Sequence, residues 1–387
     1  MRKSLKRQIA VLTIGTAFLL AGCSGGSQTA GNQAADTQAA QAADDAASGA
    51  GGEQSADGAV DYGSLELTMG STGAADDIST QAMTYMKDYI EEKSGGAIIV
   101  NTFPSSQLGQ AADQLEMTGQ GSIDLFLEAN YMTSNGVDEA KVGSLVFTIT
   151  SKDEYRRLNE SELTKQWQDK FCELNNIKII ASNWYRNGTA LVSNREIHSV
   201  EDMQGLKVRI PQVDITLDCF QTVGMNPTPI AYNESLLSLQ QGIVEAIWCT
   251  EDAAYTMGFY EVAQYLIELN SYFDAMYVYM NNDLYNSLTD AQRDLIVEAA
   301  HEAGVYYSGL AEDALAESVA KMKEAGVEVI TLPEEEALKL RDQMRGIADR
   351  YEAEGVWPAG TYDEVLSIIS EEGDGASEEA AETETTG

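Results

Sequence analysis

The chain has 387 residues, with 62 Asp and Glu against 24 Lys and Arg, for a formal net charge of −38. A chain this acidic repels phosphate backbones, which argues against nucleic acid as a partner. Its two histidines stand in no metal-ligand spacing and its four cysteines include no CxxC pair, so the common zinc motifs and dithiol redox chemistry are excluded, and no cofactor is expected.

In chain order, Arg2, Lys3, Lys6 and Arg7 precede an apolar run from Ile9 to Leu20, the charged and hydrophobic regions of a secretory signal. Leu20-Ala21-Gly22-Cys23 then matches the bacterial lipobox, whose small residues admit a peptidase to the bond before a cysteine that becomes diacylated. The alternative is a spanning anchor, which needs about 20 apolar residues; the run is shorter. Residues 1–22 therefore read as a lipoprotein signal peptide and Cys23 as a lipidated first residue. That puts the protein outside the cytoplasm, anchored to the cell membrane in the periplasm or on the outer face. Residues 23–62 hold almost no large apolar side chain and read as a disordered tether. Residues 371–387 read as a disordered acidic tail. Setting aside the four signal cations and the thirteen acids of the two ends leaves about −29 on the core, so an anionic ligand must be met by a local basic group.

The core has the length of two compact lobes, since single domains commonly run to roughly 100–200 residues. Leu65, Leu67 and Met69 alternate as in a strand, and Met83, Met86 and Ile90 recur at helical spacing before Ser94-Gly95-Gly96 stops the helix. Ala97 to Phe103 reads as a strand, Gln110 to Gly119 as a helix, and Ile123 to Leu127 as a strand. A helix near Asp153 to Asn175 follows, with strands at Ile177 to Ala181 and Leu206 to Ile210 and helices at Ile215 to Val223 and Asn233 to Gln241. Strands alternating with helices imply an α/β fold with a mainly parallel sheet. Thr289 caps a helix start with Gln292 three residues on, and good helix formers run to Ala325, where Gly326 supplies the stop. Unbroken, that helix reaches about 54 Å and spans both lobes; the alternative is two helices broken near Gly304 or Gly309. His198 and His301 read as exposed or satisfied structural side chains. Cys172 and Cys219 read as small buried hydrophobes, with room for at most one disulfide among Cys172, Cys219 and Cys249.

Four separated blocks resemble a known family. They are Phe103-Pro104-Ser105-Ser106-Gln107-Leu108-Gly109; Gln120-Gly121-Ser122-Ile123-Asp124; Leu206 to Pro211 with Gly224 to Ile230; and Leu239 to Ala246 continuing to Phe259-Tyr260-Glu261-Val262. In this order they resemble the substrate-binding proteins of tripartite ATP-independent periplasmic (TRAP) transporters, of the C4-dicarboxylate-receptor (DctP) type, over essentially all of Leu65 to Tyr351. The resemblance implies a two-lobed, type II periplasmic-binding-protein-like fold of the TRAP subtype, with a long helix crossing both lobes. The expected division is 63–186 with 275–314 and 187–274 with 315–370. It also implies a receptor rather than an enzyme, a small organic acid as ligand, and small and large permease subunits as membrane partners.

On the matching motif, the resemblance makes Arg209 the clamp for a ligand carboxylate, and a guanidinium's planar fork suits both carboxylate oxygens. The plainer reading of Arg209 is a salt bridge in a chain full of acids. Tyr232 stands where the family often places a ring over the ligand, against plain core packing; Gln212 is a weaker polar candidate. Trp248 and Cys249 replace a Gln-Glu-Asn-Pro segment that contacts ligand in many members. That departure makes the pocket less polar, although Trp248 also suits packing between elements. Ala190 stands where some members carry a second arginine, with Arg186 nearby as a possible replacement. Trp184, Tyr185, Glu128, Asn130 and Tyr131 complete the expected cleft, Glu128 suiting a ligand amine. Two rival functions stay open on the residues alone: the receptor of an ATP-driven importer, and a secreted hydrolase using paired carboxylates, although no GxSxG, metal motif or phosphate loop is present.

Overall fold

The computed structural model describes residues 60–269 and 271–370. The signal peptide, Cys23, nearly all of the tether and the acidic tail lie outside the described residues.

The chain opens as expected with β1 (Leu65–Ser71), α1 (Ile78–Lys93), β2 (Ile98–Phe103), α2 (Ala111–Gly119) and β3 (Leu125–Ala129). Leu67 and Met69 of β1 are buried against Met83, Met86 and Ile90 of α1, the residues whose spacing set those elements. Asp124 ties the entry of β3 to β1, its Oδ2 accepting the Thr68 amide at 2.7 Å. The Phe103–Gly109 turn bends with Ser105 and Ser106 at positive φ. Their amides donate to the carbonyls of Gly73 and Ser71, fastening the loop that leaves β1.

The helix expected over Asp153 to Asn175 is two helices, α3 (Lys152–Asn159) and α4 (Glu162–Asn175). Ser161 is extended, at φ −71 and ψ 155, and its side chain accepts the Thr164 amide. A serine hydroxyl offers backbone N–H groups an alternative to continuing a helix, so the chain stops and restarts there.

The middle of the chain runs β4 (Ile177–Tyr185), β5 (Thr189–Ser193), β6 (Lys207–Ile210), α5 (Asp214–Thr222), β7 (Asn226–Pro229), α6 (Ser235–Gln240), β8 (Ala246–Thr250), α7 (Glu251–Thr256), β9 (Tyr265–Glu268) and β10 (Ala275–Asn281). It closes with α8 (Asn282–Ser287), α9 (Asp290–Glu324), β11 (Glu328–Thr331), α10 (Glu334–Glu354) and α11 (Thr361–Ser370). The strands form two sheets, ordered β2-β1-β3-β10-β4 and β11-β9-β5-β8-β6-β7. Both are mixed rather than mainly parallel: β10 runs antiparallel to β3 and β4, and β5 antiparallel to β8 and β9. The topology requires it. β4 leaves the first sheet and β10 returns to it, while β5 enters the second sheet and β9 leaves it, so each pair must run in opposite senses.

α9 is one unbroken helix of 35 residues, with the Thr289–Gln292 capping box at its start. It packs on α1 and β4 with its first half and on α7 with its second, and so serves both lobes. Gly304 does not break it. A Cβ there would meet the Asn183 side chain at 2.3 Å, so glycine lets β4 approach the helix. Around that point the Asn183 amide donates to the His301 carbonyl at 3.0 Å, and the Tyr185 amide to Ser308 Oγ at 3.0 Å. α11, expected with the second lobe, packs on α3 of the first. All three core cysteines are free thiols.

Candidate functional site

A cavity of about 220 Å³ lies between the two sheets. Thr72 and Gly73 just beyond β1 and Glu128 at the end of β3 supply one wall; Arg209, Trp248 and Cys249 on β6 and β8 supply the other. These are the carboxyl ends of their strands, where open α/β sheets leave a crevice for a ligand.

Arg209 sits in β6 between Thr228 of β7 and Ile247 of β8, and only 5% of it is exposed. Its Nε donates to the Ile230 carbonyl at 3.0 Å, and the guanidinium lies 5.7 Å from the centre of the Tyr232 ring, within cation–π range. No carboxylate comes within ion-pair distance of Arg209 among the described residues, so the salt-bridge reading does not hold in this structure. Burial without a counter-ion pulls its pKa down, only partly offset by the Tyr232 hydroxyl and the Cys249 thiol. A buried cation with free N–H donors in a cavity is poised for an anion.

Tyr232, Gln212, Trp248, Cys249, Glu128 and Tyr131 also line the cavity. Trp248 fills both of its expected roles. Its Nε1 donates to Ser271 Oγ at 3.2 Å and its ring packs against Phe220 and Tyr272, while one face borders the cavity. The Cys249 thiol is pushed up to about 12 by burial, which makes it an inert wall atom rather than a nucleophile. Glu128 accepts the Thr72 hydroxyl at 2.5 Å and the Ala129 amide at 3.0 Å.

Three expected residues, Trp184, Tyr185 and Asn130, lie elsewhere. Trp184 is fully buried between β4 and α9, its Nε1 donating to the Ala300 carbonyl at 2.9 Å and its ring against Tyr307. Side chains alternate along a strand, so Trp184 faces the helix and Tyr185 the opposite side. Asn130 donates to the Tyr155 hydroxyl at 2.9 Å and borders a separate void of about 20 Å³, near the size of one water.

Arg186 reaches the cavity but is taken. It lies where the chain crosses from β4 to β5, and its Nη1 meets Asp274 Oδ2 at 2.9 Å on the return crossing from β9 to β10. Burial works against its charge, and Asp274 together with Tyr307, Asp252 and Tyr232 outweighs that and keeps the guanidinium firmly protonated. The two crossings are also joined by backbone, Arg186 N–H to the Asp274 carbonyl at 3.0 Å and Thr189 N–H to the Tyr272 carbonyl at 3.2 Å. Ala190, expected to stand where some members of the resembling family carry a second arginine, is wholly buried in β5.

The sequence reading missed three cavity acids, Asp77, Asp252 and Asp274. Asp77 had a local signal: it is the N-cap of α1, accepting the Ser79 amide at 2.8 Å. Asp252 and Asp274 reach the cavity through long-range pairing, which leaves no periodic trace. Tyr307 arrives from the middle of α9, where a helix crossing both lobes must present a side chain to the cleft.

The profile of the family described as bacterial extracellular solute-binding protein, family 7 (DctP), matches residues 69–354. The chain belongs to this family. Among its relatives, the sialic acid-binding periplasmic protein SiaP of Vibrio cholerae is 26% identical over 273 residues, covering 70% of this chain and 84% of the relative. Among solved structures, a TRAP periplasmic solute-binding protein from Pseudomonas putida with bound D-glucuronate superposes with a TM-score of 0.71 at 21% identity, covering 80% of this chain and 98% of the other. The sugar acid binding protein DctPAm from Advenella mimigardefordensis, in complex with galactonate, superposes at 0.74 with 21% identity, covering 80% and 99%. The mixed sheets and shared long helix are thus the two-lobed fold of TRAP solute-binding proteins.

Proposed function

We propose that this protein is the extracytoplasmic receptor of a TRAP transporter, which holds a small organic acid between its lobes and delivers it to membrane permease subunits. The observation that carries the reading is Arg209, a buried guanidinium without a counter-ion among the described residues, on the wall of the cavity between the sheets. Paired with a ligand carboxylate, its uncompensated charge is neutralised by two-pronged hydrogen bonding. The bound acids of the two solved structures, D-glucuronate and galactonate, support the ligand class. The likeness to TRAP receptors favours that transporter over an ATP-driven importer.

A thermal-shift screen of organic acids against the purified chain tests the reading, because a ligand that binds only the native state raises its melting temperature. At least one carboxylic acid should raise it by several degrees and be recovered chemically unchanged. A flat response across sugar acids, keto acids, amino acids, and mono- and dicarboxylates would overturn the receptor role.

The lipobox supports a lipid anchor on Cys23. Two acyl chains hold a protein on a bilayer firmly, whereas one gives marginal binding. Cys23→Ala should therefore move the protein from the membrane fraction to the soluble fraction with ligand affinity intact. Membrane retention of the variant would sink the anchor.

A further inference from the structure

The charge of the cavity does not suit a plain anion. Four carboxylates border it, Asp77, Glu128, Asp252 and Asp274, against two cations, Arg186 and Arg209. Arg186 is held by Asp274. An incoming carboxylate therefore meets one free guanidinium and three acids that have no cation of their own on the cavity wall. All four acids are buried. A monocarboxylate would add a further negative charge to a site whose formal charge is already negative by two, and a dicarboxylate would add two, in surroundings where like charges are poorly screened and burial already pushes Asp77, Glu128 and Asp274 toward their neutral forms.

The acids also keep unused acceptor capacity. Both hydrogen bonds to Asp77, from the Ser79 amide and hydroxyl, fall on Oδ1. Asp274 Oδ1 is buried and has no hydrogen-bond partner, although its other oxygen holds Arg186. A buried acceptor left empty costs free energy unless a ligand donor fills it. The cavity thus presents one unpartnered donor fork and several open anionic acceptors, a division of charge that matches a molecule carrying both signs.

Resting on the receptor reading, we propose that the ligand of this site is a zwitterion, an amino acid or a close relative, whose carboxylate pairs with Arg209 and whose ammonium faces the cavity acids. Such a ligand adds no net charge to the site. A sugar acid's hydroxyls could donate to the same oxygens but bring no positive charge to offset three buried carboxylates. Burial pushes the Asp77 and Glu128 carboxyls above their usual range, a cost that a neighbouring ammonium relieves. Tyr131, Tyr232, Trp248, Tyr272 and Tyr307 add aromatic surface to the lining, which suits an apolar or aromatic side chain.

The test is calorimetric titration of the full chain at pH 7 with matched trios: phenylalanine, leucine and methionine, each against its 2-hydroxy and its deaminated analogue, with galactonate alongside. In at least one trio the amino member should bind ten times tighter than both analogues and tighter than galactonate. Glu128→Gln and Asp252→Asn, each checked for folding by circular dichroism, should narrow that preference in at least one variant. Tighter binding of hydroxy acids, deaminated acids or galactonate would overturn the zwitterion while leaving the receptor reading in place. The same holds for an amino preference that both variants leave untouched. Silence from every probe, together with a flat organic-acid screen, would overturn both.

Discussion

Arg209→Ala is expected to weaken binding of the best acid from the screen by about one to two orders of magnitude or more, while the melting temperature of the ligand-free protein barely moves. Hydrogen bonds to charged groups contribute about 1.5–3 kcal/mol, and each 1.4 kcal/mol is tenfold in affinity. The stability half of the expectation follows from the environment. In the ligand-free protein Arg209 is buried without a carboxylate partner and donates one hydrogen bond, to the Ile230 carbonyl. Removing it forfeits that bond and its packing on Tyr232 but also removes an uncompensated buried charge, and the two effects oppose. Arg209→Lys keeps the charge and loses the planar fork, so it should recover only part of the affinity. Titration calorimetry with melting curves on both variants reads the two quantities separately. Wild-type affinity in folded Arg209→Ala would move the clamp elsewhere. A large drop in stability with normal affinity would mean the side chain is structural.

Much of the fold was legible because its signals are local. Alternation marked β1, helical spacing marked α1, and the Thr289–Gln292 box with Gly326 bounded α9 to within a residue. The glycines inside α9 left its continuity open. What settles Gly304 is a contact with Asn183, some 120 positions away in the chain, which no local pattern carries. The split between α3 and α4 had a readable sign in Ser161, but propensity through the segment masked it. Strand direction failed for a topological reason: β4, β5, β9 and β10 belong to two crossings between sheets, and alternation of strands with helices cannot register where the chain changes sheets.

The site divides in the same way. Arg209, Tyr232, Trp248 and Cys249 were singled out because each sits in a motif block, just after one, or at a departure from one, and all four border the cavity. Glu128 and Asn130 are two residues apart, yet only Glu128 borders the large cavity, and Trp184 misses it although Arg186 reaches it. Each pair straddles a strand end: β3 stops at Ala129, before Asn130, and β4 stops at Tyr185, before Arg186, so the rule that residues two apart share a face lapses at that point. Asp252 and Asp274 were invisible for a different reason. In a chain with 62 acids, an aspartate that turns inward carries no compositional mark.

Asp274→Ala is expected to cost about 3–5 kcal/mol of unfolding free energy, the penalty for stranding a buried charge whose partner is gone. The side chains of Arg186 and Asp274 are 24% and 4% exposed, so solvent reaches the pair too little to take over from the lost carboxylate. The effect should be large because of where the pair stands. The β4–β5 and β9–β10 crossings between the sheets meet there, and Asn187, next to Arg186, donates to the Ala311 carbonyl of α9 at 2.6 Å, which ties the long helix to the same point. A double variant, Arg186→Met with Asp274→Leu, removes both charges and keeps comparable volume. It should recover most of the loss, since replacing a buried ion pair by apolar groups is often neutral. Urea unfolding of the wild type, the single variants Arg186→Met and Asp274→Leu, and the double variant closes the cycle and gives the coupling between the two residues, with Asp274→Ala measured alongside. A cost under about 1 kcal/mol for Asp274→Ala would mean that water enters and solvates Arg186 once its partner is gone. If instead both single variants are costly and the double variant recovers nothing, the side chains matter through packing at the crossings and not through their charges.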